Sequence, residues 1–216
     1  MRLILNRIAE FQFVKKMFDE CNRHKEKYGF RNKLEHTERV YLLANRLLKY
    51  EEADKGVVLT ATIFHDVGYL YSHKEHTKYS AEICKQYLQD NNYNTDFIKK
   101  VVDIIANHGN KELLFNPNTS MEQILLIEAD CLDESGALSI LRDTLSEGSS
   151  SEKSYKKTYE RLCERSIMKN PDSFNCVTET AKNIWLEKQE LYMGFIDNLK
   201  KDLIGFDSLL LEDSKL

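Results

Sequence analysis

Residues that break helices are scarce along the whole chain, and this scarcity is the strongest constraint on its fold. Only two prolines, Pro117 and Pro171, and eight glycines interrupt the 216 residues. Leu, Glu and Lys, which favour helices, occur throughout. No Asn-Gly or Asp-Gly turn between alternating apolar residues predicts a β-hairpin. The sequence therefore predicts an all-α fold, a compact helical bundle with a C-terminal helical extension.

Apolar periodicity divides the chain into nine predicted helices. They span residues 2–27, 34–53, 55–66, 75–91, 95–108, 119–131, 134–147, 152–169 and 174–204. The Ser-rich stretch 146–154 predicts either a loop or a boundary before the C-terminal extension. We expect one domain over residues 1–216, with its core at 30–145 and the helical extension at 150–205.

Composition predicts a cytoplasmic globular protein. The chain is 42% hydrophobic and 31% charged, and its net charge of −4 gives no broad attraction to double-stranded nucleic acid or acidic membranes. The N-terminal segment becomes polar too early for a secretory signal, and no apolar run approaches the roughly 18–20 residues of a membrane span. The cysteines are widely spaced and form no CxxC pair, which favours reduced thiols; they are Cys21, Cys84, Cys131, Cys163 and Cys176.

Five predicted helices each place one imidazole or carboxylate on an otherwise apolar face. His36, for example, shares its face with Val40, Leu43 and Leu47. One such histidine is usually an ordinary core residue, but each unpaired buried polar group costs several kcal/mol. A shared divalent cation such as Mn, Fe, Ni or Zn would satisfy the whole set. Its members are His36, His65, His76, His108 and Asp130, and Asp66 directly follows His65.

His65 and Asp66 are adjacent in the segment TIFHDVGYL. Neighbouring residues of a helix diverge by about 100°, so both reach one ion only where the helix ends. Gly68 stands just beyond the pair, where a C′ glycine belongs, and predicts such an ending.

The order His36, His65-Asp66, Asp130 resembles the H…HD…D signature of the HD-domain metal-dependent phosphohydrolase superfamily. LEHTERV, ATIFHDVGY and LIEADCLDESGALSI are similar to its three signature segments, and the likeness covers roughly residues 30–145. The segment 159–203 resembles the C-terminal helices of a branch with nucleotide pyrophosphohydrolase activity. The resemblance implies an HD-domain-like bundle in which His36, His65, Asp66 and Asp130 hold one cation.

Two further histidines leave the number of ions open. HTKYSAEI (76–83) and IIANHGNKE (104–112) resemble the segments that give two-metal members their third and fourth histidines. In that pattern His76 and His108 hold a second ion, and Asp66 bridges the two. The alternative is a single ion, with His76 and His108 binding phosphate or transferring protons. We expect His73 in a loop near the mouth of the site and His24 on the surface of the first helix.

The resemblance implies a hydrolase of phosphate esters or phosphoanhydrides, with a small phosphorylated molecule, above all a nucleotide, as substrate. The activity would be that of a phosphomonoesterase, a phosphodiesterase or a nucleotide pyrophosphohydrolase. One or two divalent ions (Mn, Fe, Ni, Mg or Zn) would activate water. Asp66 would orient that water, and His76 or His108 would protonate the leaving oxygen. Candidate phosphate-binding residues, each also explained by a solvated surface, are Lys33, Lys74, Lys78 and Arg142.

Two alternatives from other classes remain open. One is a mixed-valence di-iron oxygenase that uses the same cluster, with both His76 and His108 as iron ligands. The other is a non-catalytic regulator that binds a metal or a nucleotide.

The last long helix carries an apolar stripe that predicts either packing against the domain or a homodimer surface. The stripe comprises Trp185, Tyr192, Ile196, Leu199 and Leu203. We expect the tail from 205 to fray, unless Leu209 to Leu211 dock onto the domain.

Overall fold

The computed structural model describes residues 2–21, 32–148, 154–168 and 176–213. Within these ranges helices are the regular structure and no strand occurs, which confirms the all-α prediction. The helices are α1 (Arg2–Cys21), α2 (Lys33–Leu47), α3 (Lys55–Phe64), α4 (His76–Asp90), α5 (Thr95–Asn107), α6 (Met121–Asp133), α7 (Ala137–Gly148), α8 (Tyr155–Met168) and α9 (Glu179–Asp213). Two short 3-10 helices, Val67–Leu70 and Lys111–Phe115, are additional to the predicted set.

Side-chain caps fix where three of these helices begin. Asn32, Asp54 and Asn94 precede α2, α3 and α5, and each accepts hydrogen bonds from two backbone N–H groups of the first turn. The far ends differ more from prediction. α2 ends at Leu47 instead of 53, and none of residues 48–53, which follow it, is buried; α9 continues past 204 to Asp213.

Some predictions fall outside the described part of the chain. These are the end of the first helix at 27, the surface position of His24, most of the Ser-rich stretch 146–154 and the side chains of Leu209 to Leu211.

The chain divides into two compact units, Met1–Asp133 and Glu134–Leu216. In the first unit α3 is central, since it packs against α1, α2, α5 and α6, and all its residues from Val57 to Phe64 are buried. In the second unit α7, α8 and α9 pack together. The expectation of a single domain over residues 1–216 stays a prediction.

The end of α3 corrects the prediction of a glycine cap. α3 ends at Phe64, His65 still has helical dihedrals, and Asp66 leaves the helix with φ −111° and ψ 1°. Gly68 lies in the following 3-10 helix, whereas the described glycine with positive φ is Gly136. A Cβ on Gly68 would lie 2.1 Å from the His76 carbonyl oxygen. The C′ cap was therefore wrong, and glycine is required there because this turn lies directly against the start of α4.

Three residues of the apolar stripe of α9, Trp185, Tyr192 and Ile196, are buried, and Leu199 and Leu203 are half-buried. Tyr192 and Ile196 pack with Ile140 and Leu162 of the second unit, and the Tyr192 hydroxyl donates to the Leu162 carbonyl at 3.0 Å. Packing therefore occupies this part of the stripe, and the homodimer stays a prediction. Of the helices described, none combines the length and apolar character needed to cross a bilayer.

Candidate metal centre

Six side chains that the sequence analysis singled out meet inside the first unit. Each lies in the first or last turn of a helix or in the turn directly next to a helix. They are His36 in the first turn of α2, His65 and Asp66 directly after α3, His76 at the start of α4, His108 directly after α5, and Asp130 in the last turn of α6.

The first ligand set consists of His36, His65, Asp66 and Asp130. The Nε2 atoms of His36 and His65 lie 3.2 Å apart. His36 Nε2 is also 3.3 Å from Asp66 Oδ2 and 3.2 Å from Asp130 Oδ1. The corresponding distances from His65 Nε2 are 3.7 and 3.8 Å. Two imidazole nitrogens and two carboxylate oxygens, one from each of the four side chains, thus lie close together.

The second ligand set consists of Asp66, His76 and His108. His76 Nε2 is 3.8 Å and His108 Nε2 is 3.6 Å from Asp66 Oδ1. The two oxygens of Asp66 therefore face different histidine pairs, with Oδ2 toward His36 and His65 and Oδ1 toward His76 and His108. Asp66 has the position of a bridging carboxylate between the two sets.

Hydrogen bonds at the far side of each ring fix the tautomer of three histidines. The Nδ1 atoms of His65, His76 and His108 lie 2.7, 3.1 and 2.7 Å from the backbone carbonyls of Thr62, His73 and Ile105. A carbonyl oxygen only accepts, so each Nδ1 carries the proton. In the neutral rings, Nε2 then presents a lone pair to the centre, as in histidines that ligate metals.

Asp133 supports the fourth histidine and was missed in the sequence analysis. Its Oδ2 lies 2.8 Å from His36 Nδ1, and both its oxygens accept from Arg39, at 2.7 Å from Nε and 3.0 Å from Nη2. Asp133 is 2% exposed. The sequence did carry a signal for Asp133. Residues at i and i+3 share a helical face, so Asp133 lies on the face of Asp130, just as Arg39 lies on the face of His36.

The charged groups around His36 and Asp66 stabilise each other's ionised forms. Burial would lower the pKa of His36, but hydrogen bonds to Asp130, Asp133 and Asp66 outweigh burial and raise this pKa to about 11. Burial would raise the pKa of Asp66, but the charge of His65, hydrogen bonds with His108 and His36, and the Lys33 ammonium hold it well below its usual value. Without a metal, the centre therefore retains a proton on His36 and an ionised Asp66.

The remaining histidines have different protonation preferences. Burial lowers the pKa of His65 to about 4, although the charges of Asp66 and Asp130 act in the other direction. Burial also lowers the pKa of His76. Burial would lower the pKa of His108 too, but its hydrogen bond to Asp66 outweighs this and raises it. His65 and His76 are thus predisposed to be neutral, the form in which imidazole binds a metal.

Of the four candidate phosphate-binding residues, the structure places Lys33 at the centre. Its Nζ lies 2.7 Å from Asp66 Oδ2 and is part-buried. Lys74 and Lys78 are exposed, and Lys78 lies about 200° around α4 from His76. Arg142 belongs to the second unit, where it pairs with Glu134 and Asp143, both at 3.1 Å. His73 is exposed in the loop before α4, as predicted.

The donor chemistry of this centre fits divalent cations. When His36 and His65 are both neutral, their lone pairs face each other at 3.2 Å, and the carboxylates of Asp66 and Asp130 add negative charge at the same point. A cation between these groups removes the repulsion and satisfies every donor. Mixed imidazole and carboxylate donors suit Mn, Fe, Ni or Zn, and leave the choice among them open.

A comparison with known protein families matches the part of the chain that carries the candidate metal centre. A family model described as HD domain matches residues 34–135, which include all six side chains of both ligand sets. No curated protein is significantly similar to the chain.

Several solved structures share the fold over nearly the whole chain. Bacillus subtilis YpgQ in complex with ADP has 21% identity and a TM-score of 0.69, over 96% of this chain and 100% of that one. An HD-superfamily hydrolase from Bacillus thuringiensis has 22% identity and a TM-score of 0.69, over 93% and 97%. A predicted HD-superfamily hydrolase from an uncultured Thermotogales bacterium has 20% identity and a TM-score of 0.61, over 90% and 91%.

Proposed function

Because this chain belongs to the HD-domain superfamily through residues 34–135, we propose that it is a divalent-metal-dependent phosphohydrolase with a nucleotide as substrate. The observation that carries the proposal is the division of the Asp66 carboxylate between two sets of histidines. Two neighbouring cations that share a carboxylate are a recurring device for displacement at phosphorus. The fold shared with an ADP-bound protein supports the choice of a nucleotide.

The proposed ligands are His36, His65, Asp66 and Asp130 for one ion, and Asp66, His76 and His108 for a second. When bound, such ions supply a water of lowered pKa and withdraw charge from a phosphoryl oxygen. Asp66 would orient the attacking water by accepting a hydrogen bond from it. Attack would form the new oxygen–phosphorus bond and break the bond to the leaving oxygen, and the proton released by the attacking water balances the one that the leaving oxygen takes up.

Lys33 is the proposed contact to the phosphoryl group. Its ammonium lies 2.7 Å from Asp66 Oδ2, so it stands at the edge of the centre with donors to offer to a phosphate oxygen. Burial would lower its pKa, but the charge of Asp66 and the hydrogen bond to it outweigh burial and raise the pKa. Lys33 therefore keeps its positive charge throughout the neutral pH range.

Hydrolysis of a substrate panel tests the proposal. The panel contains nucleoside mono-, di- and triphosphates and a phosphodiester, each with Mn²⁺ or with a chelator, and phosphate and pyrophosphate are measured separately. We expect Mn²⁺-dependent turnover that falls to background in Asp66→Asn and persists in Asp96→Asn, a change at an exposed carboxylate of α5. Turnover that survives both the chelator and Asp66→Asn would refute a metal-dependent reaction. Tight nucleotide binding without turnover would instead favour the regulator.

The same two ligand sets also meet the requirement of the di-iron oxygenase, since His76 and His108 both face Asp66. Reconstitution with iron in air, followed by spectroscopy, separates the two enzymes. Under the phosphohydrolase proposal the iron-loaded protein shows no oxygen consumption with a nucleotide substrate. A coupled mixed-valence pair that consumes oxygen would favour the oxygenase.

A further inference from the structure

Tyr69 lies between two side chains of the candidate metal centre. It belongs to the 3-10 helix Val67–Leu70. The His76 ring stacks on the Tyr69 ring, with centroids 4.0 Å apart and planes inclined by 19°. Lys33 Nζ lies over the same ring, 3.7 Å from its centroid. Groups so close to one centroid would overlap on the same face, so Lys33 and His76 cover opposite faces of Tyr69.

The two groups that Tyr69 holds face different oxygens of Asp66. Lys33 Nζ is 2.7 Å from Oδ2, and His76 Nε2 is 3.8 Å from Oδ1. The Tyr69 ring therefore sets the spacing between the cation on one side of the bridging carboxylate and the imidazole on the other. Attraction between an ammonium and an aromatic face holds Lys33 without using any of its three donors.

The backbone fixes Tyr69 itself against α4. The N–H of the adjacent Gly68 donates to Ser80 Oγ at 2.8 Å, and the lack of a side chain at Gly68 permits contact with the His76 carbonyl. His76 is also held from the far side, since its Nδ1–H donates to the carbonyl of His73. Stacking and this hydrogen bond together leave the His76 ring one orientation.

We propose that Tyr69 is a positioning residue, whose ring orients Lys33 toward a phosphoryl oxygen of the substrate and orients His76 toward Asp66. The proposal rests on the proposed function for the role of Lys33. It also has a consequence for substrate recognition. Because both faces of Tyr69 are covered, this ring does not stack on the base of a nucleotide, so the base must be bound by other residues.

A double-mutant cycle tests the link to Lys33. ADP affinity is measured by calorimetry with Mn²⁺ present, in the wild type, Tyr69→Phe, Tyr69→Leu, Lys33→Met and Lys33→Met/Tyr69→Leu. We expect Tyr69→Leu to weaken ADP binding by about tenfold, the lower end of effects seen for residues that orient a site. Tyr69→Phe, which keeps the ring, should bind ADP as tightly as the wild type. In the Lys33→Met background, Tyr69→Leu should cause little further loss of ADP affinity.

A second cycle tests the link to His76 without any nucleotide. Mn²⁺ affinity is measured in Tyr69→Leu, His76→Ala and the double variant, with thermal unfolding as a check on folding. We expect Tyr69→Leu to weaken Mn²⁺ binding in the wild-type background and not in the His76→Ala background. Tyr71→Leu is the matched control, since Tyr71 directly follows the same turn, is 64% exposed and stacks only distantly on Tyr79, at 5.7 Å.

The outcomes distinguish the positioning role of Tyr69 from the proposed phosphohydrolase function. Fully additive effects in both cycles, or a loss in Tyr69→Phe equal to that in Tyr69→Leu, would overturn the role of the Tyr69 ring. Failure of the wild type to bind ADP would overturn the orientation of Lys33 toward substrate. If both cycles show coupling but no nucleotide is hydrolysed, the positioning role stands and the proposed function fails.

Discussion

Asp133 shows how a residue that touches no reacting atom can control the centre. It accepts from His36 Nδ1 and from Arg39, so it fixes the His36 ring and balances its charge. Burial would raise the pKa of Asp133, but its hydrogen bonds to His36 and Arg39 lower it, so the carboxyl is ionised at neutral pH. A carboxylate behind a ligating histidine also makes that histidine a better donor.

Asp133→Asn is expected to weaken Mn²⁺ affinity by about 10–100-fold, because the amide orients His36 poorly and gives it less negative charge. Calorimetric Mn²⁺ titration measures the effect. Asp143→Asn is the matched control, since Asp143 is also buried and paired with arginines, but lies in the second unit. An Asp133→Asn protein with the affinity of the wild type would show that Asp133 has only a structural role.

At the residue level the sequence predicted which side chains converge at the centre. It predicted less about the residues that hold those side chains in place. His36, His65, His76, His108 and Asp130 could be found because the helical period exposes a polar residue on an apolar face. Asp133 offered only its spacing from Asp130, and Tyr69 offered no signal, because the roles of both depend on contacts with α2, which is distant in sequence. The phosphate-binding role of Arg142 stays a prediction, since an isolated arginine carries no information about its partners; in the structure it pairs with Glu134 and Asp143 of its own unit.

The turn after α3 determines the geometry of the centre at the level of elements. α3 stops at Phe64 and Asp66 leaves the helical conformation directly after His65, so the two neighbouring side chains can serve adjacent positions. Gly68 then brings the turn into contact with the first residues of α4. The positions of His65 and Asp66 at the end of α3 were predictable from the sequence. The close approach of Gly68 to α4 was not, because it depends on the path of a later helix.

Gly68→Ala is expected to destabilise the fold by about 1–3 kcal/mol, as overpacking of a tight contact does, and to weaken Mn²⁺ binding. The added Cβ would meet the His76 carbonyl at 2.1 Å and the Ser80 nitrogen at 2.6 Å, which pushes α4 and His76 away from Asp66. Chemical unfolding and Mn²⁺ titration measure the two effects. Gly109→Ala is the control beside another site histidine, where the nearest atom to a new Cβ is 3.6 Å away. Equal behaviour of the two variants would contradict this role for Gly68.

At the level of the whole molecule, a buried ion pair ties α1 to the helices of the site. Arg7 donates to Glu10 at 2.7 Å, to the Gly56 carbonyl at the start of α3 at 2.9 Å, and to the Thr60 hydroxyl further along α3. The Tyr93 hydroxyl donates to Glu10 at 3.0 Å. Burial raises the pKa of Glu10 to about 7, against the opposing effects of Arg7, Tyr93 and Thr60.

This shift predicts a pH dependence of stability. Between pH 4.5, the usual pKa, and about 7, the folded chain binds a proton at Glu10 that the unfolded chain has released, so this contribution to stability falls as pH rises. The unfolding free energy of the wild type relative to Glu10→Gln should therefore drop by about 1–3 kcal/mol across this window. Denaturant unfolding at several pH values measures the difference.

Asp19→Asn provides the control for Glu10→Gln. Lys15 and Asp19 also lie on α1 and are also 2.7 Å apart, but both side chains are more than half exposed. The unfolding free energy of Asp19→Asn relative to the wild type should change little with pH, since solvent screens an exposed pair. A wild-type advantage over Glu10→Gln that stays constant from pH 4.5 to 7 would contradict the raised pKa of Glu10.

The central claim, a divalent-metal centre built around Asp66, is tested most directly by counting bound ions. Full-length protein is equilibrated with Mn²⁺, separated from unbound metal and analysed for Mn per chain. We predict two ions in the wild type, two in Asp103→Ala, an exposed carboxylate of α5, and none in Asp66→Ala. One ion in the wild type would remove the second ligand set from the account. A wild-type chain that retains no ion, or an Asp66→Ala chain that retains as many as the wild type, would contradict the central claim.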